Sequence, residues 1–259
     1  MLQVTRVILP SILASDDGPV AEVINPSGAA DMCLVCEHAS PAIPSSLNGL
    51  GLAEDERLSH AAWDIGALDL TRALAERLDA PAVVARISRL VYDCNRPPDA
   101  PGAITERSEN IVVAGNQNLP DAARAARIAE IYEPFHATVT EALDGFRTPP
   151  ALVTIHSFTP VWMGQPRDVE LGLLHDTDDR LAKAMMAHRD ARVDTQLNAP
   201  YDAHDGVTHM LQRHALPRGL QNVMIEVRND LIDDPEGVER FADILAPMLT
   251  QALVREATA

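Results

Sequence analysis

Residues 32–41 read Met32-Cys33-Leu34-Val35-Cys36-Glu37-His38-Ala39-Ser40-Pro41, an unbroken apolar run followed at once by a carboxylate, an imidazole and a turn. A short apolar run without polar alternation marks a strand buried on both faces. Residues 151–157, Ala-Leu-Val-Thr-Ile-His-Ser, repeat the arrangement. Runs over 82–87, 171–174 and 223–227 read the same way, so strands are expected over 32–36, 82–87, 151–155, 171–174 and 223–227. Between and after them, residues 64–78, 121–143, 178–191, 201–213 and 236–255 carry apolar side chains at three- and four-residue spacing, the pattern of amphipathic helices. Strands alternating with helices predict an α/β sheet sandwiched by helices.

The chain has 259 residues, 46% of them hydrophobic and 23% charged, enough for one sizeable core. No repeat, low-complexity tract or long linker divides it, so a single domain over 1–259 is expected, with 1–30 as a possible extension broken by Pro10, Pro19, Pro26 and Gly28. Lys and Arg number 21 against 38 Asp and Glu, a net charge of −17, and Lys183 is the single lysine. This balance argues against broad nucleic-acid binding and against adsorption to anionic lipid. It leaves room for a few arginines to hold a small anion. Three cysteines, Cys33, Cys36 and Cys94, are too few for a disulfide framework and favour a reducing compartment, with the cytoplasm the expected location. Cys33 and Cys36 form a C-x-x-C inside a buried strand with no second pair to complete a zinc knuckle. The stretch from Val7 to Ala14, interrupted by Pro10, makes a poor signal peptide, and no run reaches the ~20 apolar residues of a membrane span.

In open α/β sheets chemistry gathers beyond the carboxyl ends of strands. Glu37 and His38 follow the first strand, Arg89 the second, His156 and Ser157 the third, and Glu226 lies in the last. Two histidines presented from matching strand ends suit either two zinc ligands, a carboxylate completing the set, or two imidazoles that tie their loops to the backbone. Glu37, Asp64 and Glu226 are the candidate carboxylates. Asp64 opens an expected helix, where capping and metal binding are both open. Glu226, between Ile225 and Val227, needs a partner to be buried, either Arg228 or a reacting water. The segment 86–98 packs Arg86, Arg89 and Arg96 with Tyr92, Asp93 and Asn95. One arginine is expected to pair internally with Asp93 and another to grip a substrate carboxylate bidentately. No P-loop, G-x-G-x-x-G fingerprint or G-x-S-x-G elbow is present.

Five ordered blocks together resemble the N-formylglutamate amidohydrolase family: 36–40 (Cys-Glu-His-Ala-Ser), 62–67 (Ala-Trp-Asp-Ile-Gly-Ala), 88–97 (Ser-Arg-Leu-Val-Tyr-Asp-Cys-Asn-Arg-Pro), 155–158 (Ile-His-Ser-Phe) and 223–231 (Val-Met-Ile-Glu-Val-Arg-Asn-Asp-Leu). The resemblance spans roughly residues 33–235. It implies a three-layer α/β/α sandwich with a mixed central sheet, zinc-carboxypeptidase-like, and metal-dependent hydrolysis of N-formyl-L-glutamate to formate and L-glutamate in histidine breakdown. It further implies one zinc ion held by His38, His156 and Asp64, with Glu37 the alternative third ligand. Glu226 would be the general base, and Arg89, Asn95, Arg96 and Ser157 would bind the small-molecule substrate. At the first histidine this chain carries Glu-His-Ala-Ser where histidine-pathway members carry Pro-His-Ser-Gly, and Asp64 stands where they tend to carry His. These departures keep open a zinc amidase or peptidase acting on another N-blocked amino acid or cell-wall fragment, and, from another class, a non-catalytic carboxylate-binding protein.

Overall fold

The structure is a computed structural model and describes residues 11–201 and 203–254. In chain order it runs β1 (Ala21–Ile24), β2 (Met32–Cys36), α1 (Glu54–Arg57), α2 (Ala67–Leu78), β3 (Ala82–Ala85), β4 (Arg107–Ser108), β5 (Ile111–Val112), α3 (Asp121–Arg127), α4 (Glu133–Asp144), β6 (Ala151–Phe158), β7 (Val161–Trp162), β8 (Gln165–Pro166), β9 (Leu171–Leu174), α5 (Arg180–Ala187), β10 (Thr195–Leu197), β11 (Asn222–Arg228) and α6 (Pro235–Leu253). Residues 1–10 of the expected extension, Asp202 in the expected helix over 201–213 and Arg255 at the end of the last expected helix lie outside the described residues.

A 7-stranded sheet in the order β1-β3-β2-β6-β11-β9-β10 forms the middle layer. β3, β2, β6 and β11 run parallel as neighbours, while β1 against β3 and β9 against β11 are antiparallel, so the sheet is mixed. Every residue of β2, β3, β6 and β9 is buried, as their unbroken apolar runs require. On one face α2, α5 and α6 pack Leu70, Leu74, Leu181, Phe241 and Leu245 onto Leu34, Val153, Ile155, Val223 and Ile225. On the other, α4 and a wide helical turn at Leu211–Ala215 pack Phe135, Val139 and Leu211 onto Val35, Leu152 and Met224. Each such large side chain stabilises the fold by about 1.5–3 kcal/mol on burial. The result is a three-layer α/β/α sandwich.

Element boundaries differ from the sequence reading where side chains compete for the backbone. Part of the expected extension joins the sheet as the edge strand β1, whose half-exposed residues give no apolar run. The helix expected over 121–143 divides at a π-turn, Ile128–Tyr132, because Pro134 has no N–H for the carbonyl of Glu130. The helix expected over 201–213 is interrupted, with a single 3-10 turn at Ala203–Asp205 and a continuous helical run only from His209, since Asn95 takes the carbonyl of Val207 and the N–H of Met210. The first expected helix starts at Ala67 rather than at residue 64, and the last strand and helix each begin one residue earlier than read. Among the described residues no helix is long and apolar enough to cross a membrane.

Behind the sheet, Nδ1 of His136 in α4 lies 2.7 Å from Nε2 of His214, and its Nε2 donates to the carbonyl of Cys94 at 3.0 Å. Burial, with the neighbouring His214, lowers the His136 imidazole to about 2, and burial with Arg213 lowers His214 to about 3. Both stay neutral in the folded protein where the unfolded chain, with imidazoles near ~6.5, takes up protons. Their stability contribution is therefore full above about pH 6.5 and is lost as the pH falls toward the folded values, by about 2 kcal/mol per imidazole at about pH 5. His214→Gln should reduce the proton uptake on unfolding between about pH 4 and 6 by about one. Denaturant melts across that range check it, and an unchanged slope would assign the acid loss to other groups.

Candidate active site

The neighbouring parallel strands β3, β2, β6 and β11 end at one edge of the sheet, where their loops converge. The structure brings Glu37 and His38 there just past β2, Arg89 and Asp93 in the segment after β3, His156 in β6 and Glu226 in β11. Because β6 runs on to Phe158, His156 and Ser157 lie within the strand rather than after it. Glu226 is the register partner of His156, so both side chains leave the sheet on the same face. Gly66 carries the chain into α2 at φ 80°, and a Cβ there would meet the carbonyl of Ile232 at 2.2 Å. That turn holds Asp64 off the helix axis, and its carboxylate caps nothing. It faces the strand ends instead. His38, Asp64, Arg89, Asp93, His156 and Glu226 line one cavity of about 420 Å³.

Oδ2 of Asp64 lies 2.9 Å from Nδ1 of His156 and 3.2 Å from Nδ1 of His38. Its Oδ1 accepts from Arg89 at 3.2 Å. Nε2 of His38 lies 2.7 Å from Asp93, whose second oxygen accepts from Arg89 at 2.8 Å. Nε2 of His156 lies 3.1 Å from Glu37, out of line for a hydrogen bond. Burial and Arg89 push the His38 imidazole down, yet Asp93 and Asp64 outweigh them and hold it above its ordinary value. His156 is buried too, and Glu37 and Asp64 hold it well above the ordinary value. Burial works against ionising Asp64 and Asp93, but the imidazoles and Arg89 hold both below the usual carboxylate range. Burial pushes the Glu226 carboxyl up to about 7, against the pull of His156.

His38, Asp64 and His156 form a buried group whose donor atoms all lie within 4.8 Å of one another. The donor set, two imidazoles and a carboxylate, is one that zinc accepts, and the 2.9 and 3.2 Å separations sit near the ~3.3 Å edge of a tetrahedron with bonds of about 2.0–2.1 Å. Charge points the same way. With both imidazoles neutral, as ligands of a metal must be, the buried Glu37, Asp64, Asp93 and Glu226 have Arg89 as the guanidinium hydrogen-bonded among them, a surplus of negative charge that a divalent cation would offset. Both oxygens of Glu37, Oε2 of Glu226 and Nε2 of His156 are buried without hydrogen bonds. The residues present fit a metal ion.

The residues expected to bind substrate fare differently. Arg89 forms the internal pair anticipated with Asp93 and shares itself with Asp64 as well. Asn95 spends its carboxamide on Val207 and Met210, and Ser157 donates its hydroxyl to the carbonyl of Ile65 at 2.7 Å. Arg96 donates to the carbonyl of Asp205 at 2.8 Å and forms no ion pair among the described residues. Sequence reasoning saw Asp93 only as an arginine partner, although its position four residues after Arg89 is a visible pairing signal. It missed Tyr201, for which no signal exists, and the two hairpins at the cavity mouth. These hairpins meet where Glu109, after β4, accepts from the N–H of Met163 after β7 at 3.1 Å and lies 3.0 Å from His60.

Comparisons with known proteins show the family. The family model described as N-formylglutamate amidohydrolase matches residues 30–233. The crystal structure of a gene product from Agrobacterium tumefaciens shares 46% identity over 93% of this chain and 98% of that one, with a TM-score of 0.92. The crystal structure of N-formylglutamate amidohydrolase from Ralstonia eutropha JMP134 has 20% identity over 90% of this chain and 96% of that one, with a TM-score of 0.69, and shares the fold. No curated protein gives a significant match. The chain is thus a hydrolase acting on amides. It belongs to the N-formylglutamate amidohydrolase family.

Because Arg89 is the counter-ion of two buried carboxylates, Arg89→Met should destabilise the fold by about 3 kcal/mol. Urea unfolding midpoints measure this. A fold of unchanged stability with a raised KM would instead assign Arg89 to substrate.

Proposed function

We propose that the protein hydrolyses the amide bond of an N-acyl amino acid, with N-formyl-L-glutamate as the leading substrate and formate and L-glutamate as products. The observation that carries this is the placement of Glu226, buried and with one oxygen unpartnered, in the same cavity as the His38-Asp64-His156 group. His38, Asp64 and His156 would hold a zinc ion. Bound there, zinc supplies a Lewis acid that lowers the pKa of water toward about 7 and polarises an acyl oxygen. Glu226 accepts the proton of the attacking water as the C–O bond forms and then returns it to the leaving nitrogen as the C–N bond breaks. Asp93, hydrogen-bonded to the outer nitrogen of His38, orients that ring, and Glu37 faces the outer nitrogen of His156 as a charge. This makes Glu37 an outer partner rather than the third ligand. Arg96 takes a substrate carboxylate, while Arg89, Asn95 and Ser157 hold the segments that build the wall.

A second substrate reading, an N-acyl amino acid with a single carboxylate, is favoured by one observation. Arg89 is already neutralised by Asp64 and Asp93, which leaves Arg96 as the inner guanidinium without an ion pair.

Purified protein stripped with a chelator should lose hydrolysis of N-formyl-L-glutamate and regain it with zinc. Zinc should also raise the melting temperature of the stripped protein, and Asp64→Asn should abolish that rise. Loss of activity without any zinc-dependent shift would remove the metal from the reading. If N-formyl-L-glutamate is inert while other N-acyl amino acids are cleaved, the single-carboxylate reading stands. Glu226→Gln should keep zinc and lower kcat by about 10²–10⁴-fold, and unchanged turnover would remove Glu226 from the reaction. Arg96→Lys should chiefly raise KM, because a point charge does not reproduce the guanidinium fork. A normal KM would make Arg96 structural.

A further inference from the structure

We propose that Tyr201 is a further catalytic residue, whose phenol donates a hydrogen bond to the acyl oxygen of the substrate as negative charge develops there, and that Arg167 is the positioning residue behind it. The proposal rests on the amide-hydrolase reading above and adds a donor that reading does not name.

Backbone packing delivers Tyr201 to the site. Gly172 of β9 is the register partner of Glu226. A Cβ on Gly172 would lie 2.0 Å from the carbonyl oxygen of Ala199, so glycine is what lets the 198–200 segment cross the sheet directly beside Glu226. Asn198 pins that crossing, donating its N–H to Leu173 at 3.2 Å and accepting from His175 at 2.8 Å. Tyr201 follows at once and lines the cavity together with His38, Asp64, His156 and Glu226.

Arg167 then fixes the direction of the phenol. Its guanidinium donates to the hydroxyl oxygen of Tyr201 at 3.0 Å. The same group lies 4.9 Å from the ring centre of Tyr201, 5.3 Å from that of Trp162 and 5.6 Å from that of Phe158. Arg167 forms no ion pair among the described residues, so its charge is spent on this aromatic setting. With a cation donating to its oxygen, Tyr201 has its own hydrogen left to give, and among the described residues that hydrogen has no acceptor. Burial, reinforced by Glu226, raises the phenol above its ordinary value, so the hydrogen is present at neutral pH.

The other inner cations are not suited to the task, and Arg96, held by the carbonyl of Asp205, is the one that takes the substrate carboxylate in the reading above. Arg89 is bound by Asp64 and Asp93 on both arms, whereas Tyr201 offers a fixed donor without an acidic partner. Fixed donors aimed at developing charge are effective because they need no reorganisation during the reaction. Tyr201 keeps its proton throughout. The water proton goes to Glu226 and on to the leaving nitrogen, as above.

Tyr201→Phe removes the one hydroxyl. It should lower kcat on the order of 10²-fold with N-formyl-L-glutamate or the best N-acyl amino acid found, leaving KM, zinc content and calorimetric affinity for L-glutamate within about twofold. Arg167→Met should lower kcat in the same direction, and combining it with Tyr201→Phe should cost little more, since the two act as one unit. A Tyr201→Phe enzyme within about twofold of wild type in kcat overturns the proposal. So do a loss confined to KM and full additivity of the two substitutions. A wild-type protein that cleaves no N-acyl amino acid fails at an earlier point, taking the functional reading and this proposal with it.

Discussion

An ionised carboxylate is costly to bury alone, and Asp64 meets that constraint by dividing its oxygens between two imidazoles and a guanidinium. Each partner comes from a different part of the chain, so satisfying one side chain fixes the ends of β2 and β6 and the segment after β3 with respect to one another. The arrangement extends outward. His38 and Arg89 both continue to Asp93, and His156 faces Glu37. Moving any of these groups leaves a buried charge exposed to the apolar sheet edge, which is why the geometry tolerates little drift.

Around this network arginine is used in three ways. Arg89 is consumed by the protein's own carboxylates, Arg96 faces the cavity with a single carbonyl contact, and Arg167 is wrapped by aromatic rings. In a chain of net charge −17, the location of each guanidinium matters more than the average field. A few cations held by specific neighbours shape a pocket that the bulk composition would not suggest.

Much of the fold was legible because buried parallel strands leave unbroken apolar runs and their flanking helices leave a three- and four-residue period. The elements that escaped reading have identifiable reasons. Edge strands β1 and β10 are half-exposed and carry no such run. Pro134 and Asn95 reshape helices through backbone groups, by removing a donor in one case and by capturing a carbonyl and an N–H in the other. Within the site, polar residues at strand ends were visible as candidates, and the family resemblance named the histidines and Asp64. The division of labour among Arg89, Arg96, Asn95 and Ser157 was not visible, because it depends on which partner each donor meets in the folded chain, Asn95 and Arg96 reaching theirs across more than a hundred residues. Tyr201 depends on the absence of a side chain at Gly172, a contact that no local pattern encodes.

The distribution of Asp64 and its imidazoles along the chain bears on how the protein comes into being. His38 and His156 lie 26 and 92 residues from Asp64, and β2 and β6 pair only after everything between them has been brought round. Closing such loops costs entropy before any pairing offsets it. A partly folded chain that has its α2 and β3 but lacks β6 therefore carries His38, Asp64 and Asp93 without His156 or Glu226. The full set of three donors is a property of the assembled sheet and of no shorter stretch of the chain.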